Sequence, residues 1–306
     1  MVIIHEAKER DDRAWVATVG FFDGVHRGHR FLIEKLRQAA ADRGLPAAVF
    51  TFPVHPRVVL QANYQPDLLN SFDERLAHLS ATGIDYCAML DFTPAMARLS
   101  AREFITELAR RWGVRTLWVG YDHRFGYHRT EGFEEYVAYG AACGMEVLRA
   151  PLLEAEGGAV SSSHIRRLLA EGRVEEAARG LTYAYRLKGR VVSGHRIGRR
   201  LGFPTANMAV DERFKVWPGM GVYAVRVYLE GNCYKGMLSI GNRPTFDGKD
   251  VALEVHLLHF SGCIYQQSIE VEFIRYLRPN RKFDSLDALQ TQLAEDCRIT
   301  DELLSA

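Results

Sequence analysis

"VGFFDGVHRGHRFLIEKL", Val19 to Leu36, is the stretch on which the reading of the fold turns. An apolar run, "AWVATVGFF" (Ala14 to Phe22), gives way at Asp23 and Gly24 to a periodic segment from about Arg27 to Arg43, closed by Gly44. The run predicts a buried strand and the periodic segment an amphipathic helix, with Asp23 and Gly24 in the turn between them. "PAAVFTF" (Pro46 to Phe52) predicts the next strand. Two histidines, His26 and His29, fall at or just inside the first turn of the helix, where unpaired N–H groups and a partial positive charge favour an anion.

The same cycle continues outward. Ser71 and Glu74, and again Ser100 and Glu103, have capping-box spacing, and each pair opens a helical stretch leading to an apolar run. Those runs are "DYCAMLDF" (Asp85 to Phe92) and "VRTLWVG" (Val114 to Gly120), followed by a helical "FEEYVAYGAAC" and an extended "MEVLRAPLL". Strands alternating with helices imply parallel crossovers, hence a doubly wound α/β sheet with ligands at the carboxyl ends of its strands. Near residue 183 the pattern changes to short β-rich runs: "LKGRVV", "GVYAVRVYL", "YKGMLSIG", "VALEVHLLHF" and "SIEVEFIRYL". Their spacing predicts a small barrel or sandwich of about 120 residues, closed by the helix "SLDALQTQLAEDCRI" near the carboxyl terminus. The expected domains are 1–182 and 183–306.

Composition narrows the function classes. With 306 residues, 47% of them hydrophobic, the chain can bury a core in each domain. Lys plus Arg (39) nearly equals Asp plus Glu (38), and the longest basic cluster is "HRIGRR" (His195 to Arg200), so a nucleotide suits the chain better than a nucleic acid. No run approaches the ~18 to 20 apolar residues of a membrane span, and "MVIIHEAKERDDRAW" has charges where a signal peptide has its apolar core. A cytoplasmic protein is expected. Five scattered cysteines without a CxxC pair read as free thiols. The residues carry no reading of oligomeric state.

Residue types at the first turn leave two readings open. Gly20, Gly24 and Gly28 stand four apart, unlike GxGxxG, and no Gly-Lys-Ser/Thr follows, so the known phosphate loops do not match. Zinc pairs usually stand at i, i+4 with a glutamate between, and Arg27 would repel a cation. A phosphate grip by both imidazoles remains, beside the plainer reading of two surface histidines at a helix cap. Farther along, Ser162 or Ser163 can cap a helix that places Arg166 one turn in, and "RVVSGHRIGRRLGFPTANM" offers Gly194, Gly198 and Gly202 among basic residues.

The motifs together resemble one family. "GFFDGVHRGH" is similar to the extended HxGH signature of Rossmann-like nucleotidyltransferases in the bacterial bifunctional riboflavin kinase/FMN adenylyltransferases, or FAD synthetases. "TFPVHP" (Thr51 to Pro56), "VGYDHRFG" (Val119 to Gly126) and "VSSSHIRRLL" (Val160 to Leu169) resemble that family's further motifs in order. In the second half "GFPTAN" (Gly202 to Asn207) resembles the Pro-Thr-Ala-Asn signature of riboflavin kinases, and "PGMGVYAV", "SIGNRPTF", "LEVHLLHF" and "YLRPNRKFDSLDALQTQL" follow in register.

The resemblance implies a doubly wound nucleotidyltransferase domain followed by an antiparallel β-barrel kinase domain with a C-terminal helix. It implies phosphorylation of riboflavin by ATP to FMN in the second domain, and adenylylation of FMN to FAD with release of pyrophosphate in the first. His26, His29 and Arg166 would stabilise charge in adenylyl transfer. Gly20, Phe21, Phe22, Asp23, Gly24, His55, Asp122, Ser162 and Ser163 would bind substrate there. In the kinase, Thr205 and Asn207 would meet Mg²⁺ with ATP, their oxygens suiting a hard cation. Gly194, Gly198, Gly202, Pro204, Asn242 and Arg243 would line its site. Glu254 would be the base, since alternation in "VALEVHLLHF" puts Val251, Leu253, Val255 and Leu257 on one side and Glu254 with His256 on the other.

His123, Ser163, His164, Val54 and Asn280 depart from the usual pattern without removing a proposed chemical group. The alternatives are a riboflavin kinase whose first domain has weak or lost activity, and a non-enzymatic flavin sensor or RNA-binding regulator. Intact His26, His29 and Arg166 argue against the former; balanced charge and Glu254 argue against the latter.

Overall fold

The computed structural model describes residues 1–9, 12–61, 63–120, 124–127, 131–150, 160–193, 198, 202–245 and 248–305. The chain divides into two compact units, Met1–Ser161 and Ser162–Ala306.

In the first unit, β1 (Val2–Ile4), β2 (Trp15–Val19), β3 (Ala47–Thr51), β4 (Tyr86–Met89), β5 (Val114–Val119) and β6 (Glu146–Arg149) form one parallel sheet in the order β1-β4-β3-β2-β5-β6. Helices α1 (Arg27–Asp42), α2 (Pro56–Leu60), α3 (Phe72–Ser80), α4 (Ala101–Arg110) and α5 (Phe133–Ala142) connect them. β2 is nearly all buried, as expected of a central parallel strand covered on both faces. Trp15 and Ala17 enter one core with Phe104, Ile105 and Leu108 of α4. Val16 enters the other with Ile33, Leu36 and Ala40 of α1. Strand order reverses between β2 and β5, so a ligand crevice belongs at their carboxyl ends, where residues 20–26 lie.

The predicted helix starts are observed. Ser71 and Ser100 each accept from the N–H three residues on, while Glu74 and Glu103 reach back to the cap N–H. β2 ends at Val19, three residues before the expected Phe22, because the backbone there turns out of the extended region.

The second unit contains α6 (Ser162–Ala170), α7 (Val174–Leu181), a closed antiparallel barrel and α8 (Leu286–Ser305). The barrel strands are β7 (Arg186–Val192), β8 (Ala206–Val210), β9 (Gly221–Leu229), β10 (Asn232–Thr245), β11 (Gly248–Leu257) and β12 (Ser268–Arg278). They close in the order β10-β11-β8-β7-β12-β9. Leu187, Val191, Val225, Val227, Leu253, Val255, Val271 and Phe273 are all buried. α6 is tied to the barrel's approach by the Gly219 N–H, which donates to Leu169 O at 2.8 Å, and α7 by Arg275, which pairs with Glu175 at 3.0 Å.

Removing the α3 cap tests how firmly that helix is set. Ser71→Ala should lower stability by about 1 kcal/mol in urea unfolding followed by tryptophan fluorescence. A change within experimental error would show that the cap does not hold α3.

Candidate functional site

The first site is built on a backbone reversal. After Gly20, whose N–H donates to Phe50 O at 3.0 Å, Phe22 (φ 56°), Gly24 (φ 82°) and Val25 (φ 36°) take left-handed conformations. For Phe22 and Val25 this costs on the order of 1–3 kcal/mol each, offset by burying both side chains almost completely. The chain then straightens at His26, the N-cap of α1, whose Nδ1 accepts the His29 N–H at 3.4 Å. An accepting Nδ1 leaves the proton of a neutral ring on Nε2, which makes that nitrogen a donor. The His26 and His29 rings stack with centroids 3.7 Å apart, and Phe22 meets His29 edge-on at 5.3 Å. A Cβ at residue 28 would stand 3.2 Å from the His26 ring, a tight approach that glycine avoids. Donors at a helix amino terminus make an anion seat.

Two buried charged residues hold this turn. The Asp23 carboxylate accepts the N–H groups of Leu69 (2.9 Å) and Asn70 (3.3 Å), so it faces backbone. Arg75, on α3 and only 2% exposed, donates to Phe21 O (3.1 Å), Phe52 O (2.6 Å) and Pro53 O (3.4 Å), and its guanidinium lies 3.9 Å from the Phe21 ring centroid. Burial pushes its pKa down to about 10, against the pull of Asp23, so the group stays charged at neutral pH. Thr51 Oγ1 donates to Phe21 O at 3.3 Å, and His55, which caps α2 by accepting the Arg57 N–H, meets Phe21 edge-on at 4.7 Å. The "GFFDG" and "TFPVHP" segments are thereby one structure. Sequence reasoning missed Arg75, whose only signal was a cation in a helix that otherwise reads as amphipathic.

Gly20, Phe21, Phe22, Asp23, Gly24, His26, His29 and His55 thus come together. Asp122 lies outside the described residues. α6 begins at Ser162, so Ser162 and Ser163 are in its first turn and Arg166 is half-buried one turn in; all three belong to the second unit.

The second site is centred on β11. Register pairs Glu254 with Ser239 of β10 on one side and with Asn207 of β8 on the other, which puts their side chains on a common face. Thr205 Oγ1 lies 3.4 Å from Glu254 Oε2. Two cavities flank this row. One of about 380 Å³ is lined by Glu254, His256 and Ser239 together with Asn280, Phe283 and Leu289. The other, about 570 Å³, meets Val255, Leu257, Phe260 and Tyr265. Alternate β11 residues face the two, and Thr205 borders both.

Pro204 O accepts from the His256 ring at 2.8 Å. Gly198 borders the smaller cavity, and its carbonyl accepts the Phe203 N–H at 2.9 Å. Gly202 stands in a left-handed turn (φ 83°) before Phe203, and Gly194 lies outside the described residues. Asn242 is exposed on β10 opposite Val251, and Arg243 follows it opposite Asp250, its side chain lying outside what the structure describes. Asn280 Nδ2 donates to Ile240 O at 2.7 Å, a bond that an ionised acid at that position could not make.

A parallel sheet with a stacked histidine pair at a helix start, followed by a barrel with a carboxylate beside one of two cavities, fits a two-domain nucleotide-dependent transferase. A family model for FAD synthetase matches residues 8–164, and one for riboflavin kinase matches residues 181–304. Bifunctional riboflavin kinase/FMN adenylyltransferases of Pseudomonas fluorescens (38% identical, covering 94% of this chain and 92% of the relative) and Escherichia coli K12 (36%, 96% and 94%) are similar throughout. The crystal structure of a Streptococcus pneumoniae protein named for macrolide efflux is 33% identical and superposes with TM-score 0.87 over 98% of both chains. Among the described residues, no helix here is long and apolar enough to cross a membrane. The chain belongs to the family of bifunctional riboflavin kinase/FMN adenylyltransferases.

Arg75→Met should destabilise the first unit by about 3 kcal/mol, because the carbonyls of Phe52 and Pro53 lose the Arg75 donor and Phe21 O keeps only Thr51. Arg75→Lys, which keeps charge but loses the fork, should fall between. Urea unfolding monitored by tryptophan fluorescence checks both, and equal stability of all three proteins would contradict the role.

Proposed function

We propose that the second unit phosphorylates riboflavin and the first adenylylates the FMN so formed, with the residues above in the following roles. In the kinase, the terminal ribityl oxygen attacks the γ-phosphorus of ATP, ADP leaves, and Glu254 takes the hydroxyl proton. Because a base must touch the acceptor hydroxyl, the flavin belongs in the smaller cavity, which Glu254 borders, and the nucleotide in the larger one. Thr205, bordering both, stands where the phosphoryl group crosses. That single placement of Glu254 and Thr205 carries the kinase reading.

Among the described residues, no cluster of three His, Cys, Asp or Glu could hold a resident metal. Asn207 Oδ1, however, is buried and has no hydrogen-bond partner, and an orphaned oxygen beside Thr205 and Glu254 suits a hard cation. Thr205 and Asn207 would hold Mg²⁺ arriving with ATP; bound there, the ion would neutralise phosphate charge.

In the adenylyltransferase, a phosphate oxygen of FMN attacks the α-phosphorus of ATP and pyrophosphate leaves. No covalent nucleophile is needed. The His26–His29 pair and the N–H groups of the α1 amino terminus hold the phosphates and stabilise the charge that develops on the non-bridging oxygens. Arg166 is assigned to the same transfer by its motif alone. A cytoplasmic location is proposed as well, since both reactions consume ATP.

With riboflavin, ATP and Mg²⁺, separation of flavins by chromatography should show FAD from the unaltered protein and accumulated FMN from His29→Ala. Glu254→Gln should make FMN about a hundredfold more slowly yet still adenylylate supplied FMN. Normal FAD yield from His29→Ala would refute the first assignment, and undiminished FMN formation by Glu254→Gln the second. Asn207→Ala should raise the Mg²⁺ concentration needed for half-maximal kinase rate by about tenfold; an unchanged requirement would remove Asn207 from the metal site.

A further inference from the structure

His256 stands two residues from Glu254 on the same face of β11 and borders the same 380 Å³ cavity. Its Nδ1 lies 2.8 Å from Pro204 O, and a carbonyl can only accept, so Nδ1 must carry the proton. Phe203 meets the ring edge-on at 5.6 Å and fixes its plane. Burial depresses the pKa of this histidine below the usual value, more than the Pro204 bond raises it, so the ring is neutral at physiological pH. A neutral ring protonated on Nδ1 presents Nε2 as an acceptor.

Among the described residues that line the cavity, three nitrogen-bearing side chains are committed elsewhere. Arg278 donates to Asp296 at 2.7 Å, Asn280 to Ile240 O, and Arg281 to Gln292. What β11 offers a guest is a pair of acceptors, the Glu254 carboxylate and the His256 imine nitrogen. Such a wall selects a ligand carrying more than one hydroxyl donor in a row.

We propose that His256 is a specificity-determining residue that accepts a hydrogen bond from an inner ribityl hydroxyl of riboflavin, next to the terminal hydroxyl that Glu254 deprotonates. This rests on the flavin occupying the smaller cavity. The same ring positions Pro204 through Nδ1, so the two nitrogens have separable jobs. Asparagine can imitate the Nδ1 donor but not the Nε2 acceptor; glutamine can place an oxygen near Nε2.

The test measures steady-state kinase kinetics with riboflavin and with analogues in which each inner ribityl hydroxyl is replaced by hydrogen. His256→Asn should raise KM for riboflavin about fivefold with KM for ATP unchanged, and His256→Gln should recover most of the loss. One deoxy analogue should lose about the same factor with the unaltered protein and nothing further with His256→Asn. Thermal unfolding of each variant shows whether a loss comes from misfolding, in which case the His256→Gln comparison decides. Additive losses for every analogue, or a rise in KM for ATP instead of riboflavin, would overturn the assignment while leaving the kinase reading intact. Absence of FMN formation by the unaltered protein would overturn both.

Discussion

Arg75 carries its positive charge to a place where 2% of its surface meets water, and the carbonyls of Phe21, Phe52 and Pro53 receive it. Everything at the first site follows from that arrangement. The reversal through Phe22, Gly24 and Val25 is a conformation the chain would not keep unaided, and it persists because Arg75 holds Phe21 O just before it while Asp23, within it, is tied to the Leu69 and Asn70 N–H groups. The reversal in turn delivers His26 to the cap of α1 and stacks it on His29. Charged side chains spent on backbone groups thus leave the imidazoles for the phosphate grip proposed for this site.

The barrel solves a related problem with a different device. A closed sheet gives every strand two neighbours, so the register β10-β11-β8 fixes Ser239, Glu254 and Asn207 in one row without any loop to position them. Alternation along β11 then divides apolar residues facing one cavity from acceptors facing the other. Transfer of a small group between two ligands needs such a partition, with reacting atoms meeting at one gap and water excluded elsewhere.

How much of this could be read from the residues depended on the kind of signal each element carries. β2, α1 and β3 were legible because a buried parallel strand is continuously apolar and Gly44 ends the helix in a left-handed turn (φ 63°). Both capping boxes were legible because they need only two residues at fixed spacing. β1 was not read, since three residues at an edge with Val2 54% and Ile3 41% exposed have neither length nor pattern. β8 escaped because Pro204 and the small residues of "PTANM" read as a loop, although closure of the barrel supplies that strand with partners. Arg75 escaped because burial of a charge is a property of the tertiary structure. The motif residues at the two sites were legible as chemistry before they were legible as geometry.

The central claim is that one chain carries out two different displacements on two phosphorus atoms. FAD made from riboflavin by this protein, with ATP labelled either at the α- or at the γ-phosphorus, measures that directly. The account predicts one γ-derived phosphorus, on the flavin side of the pyrophosphate bridge, and one α-derived phosphorus, on the adenosine side, in equal amounts. FAD that carries label from only one of the two positions would contradict it.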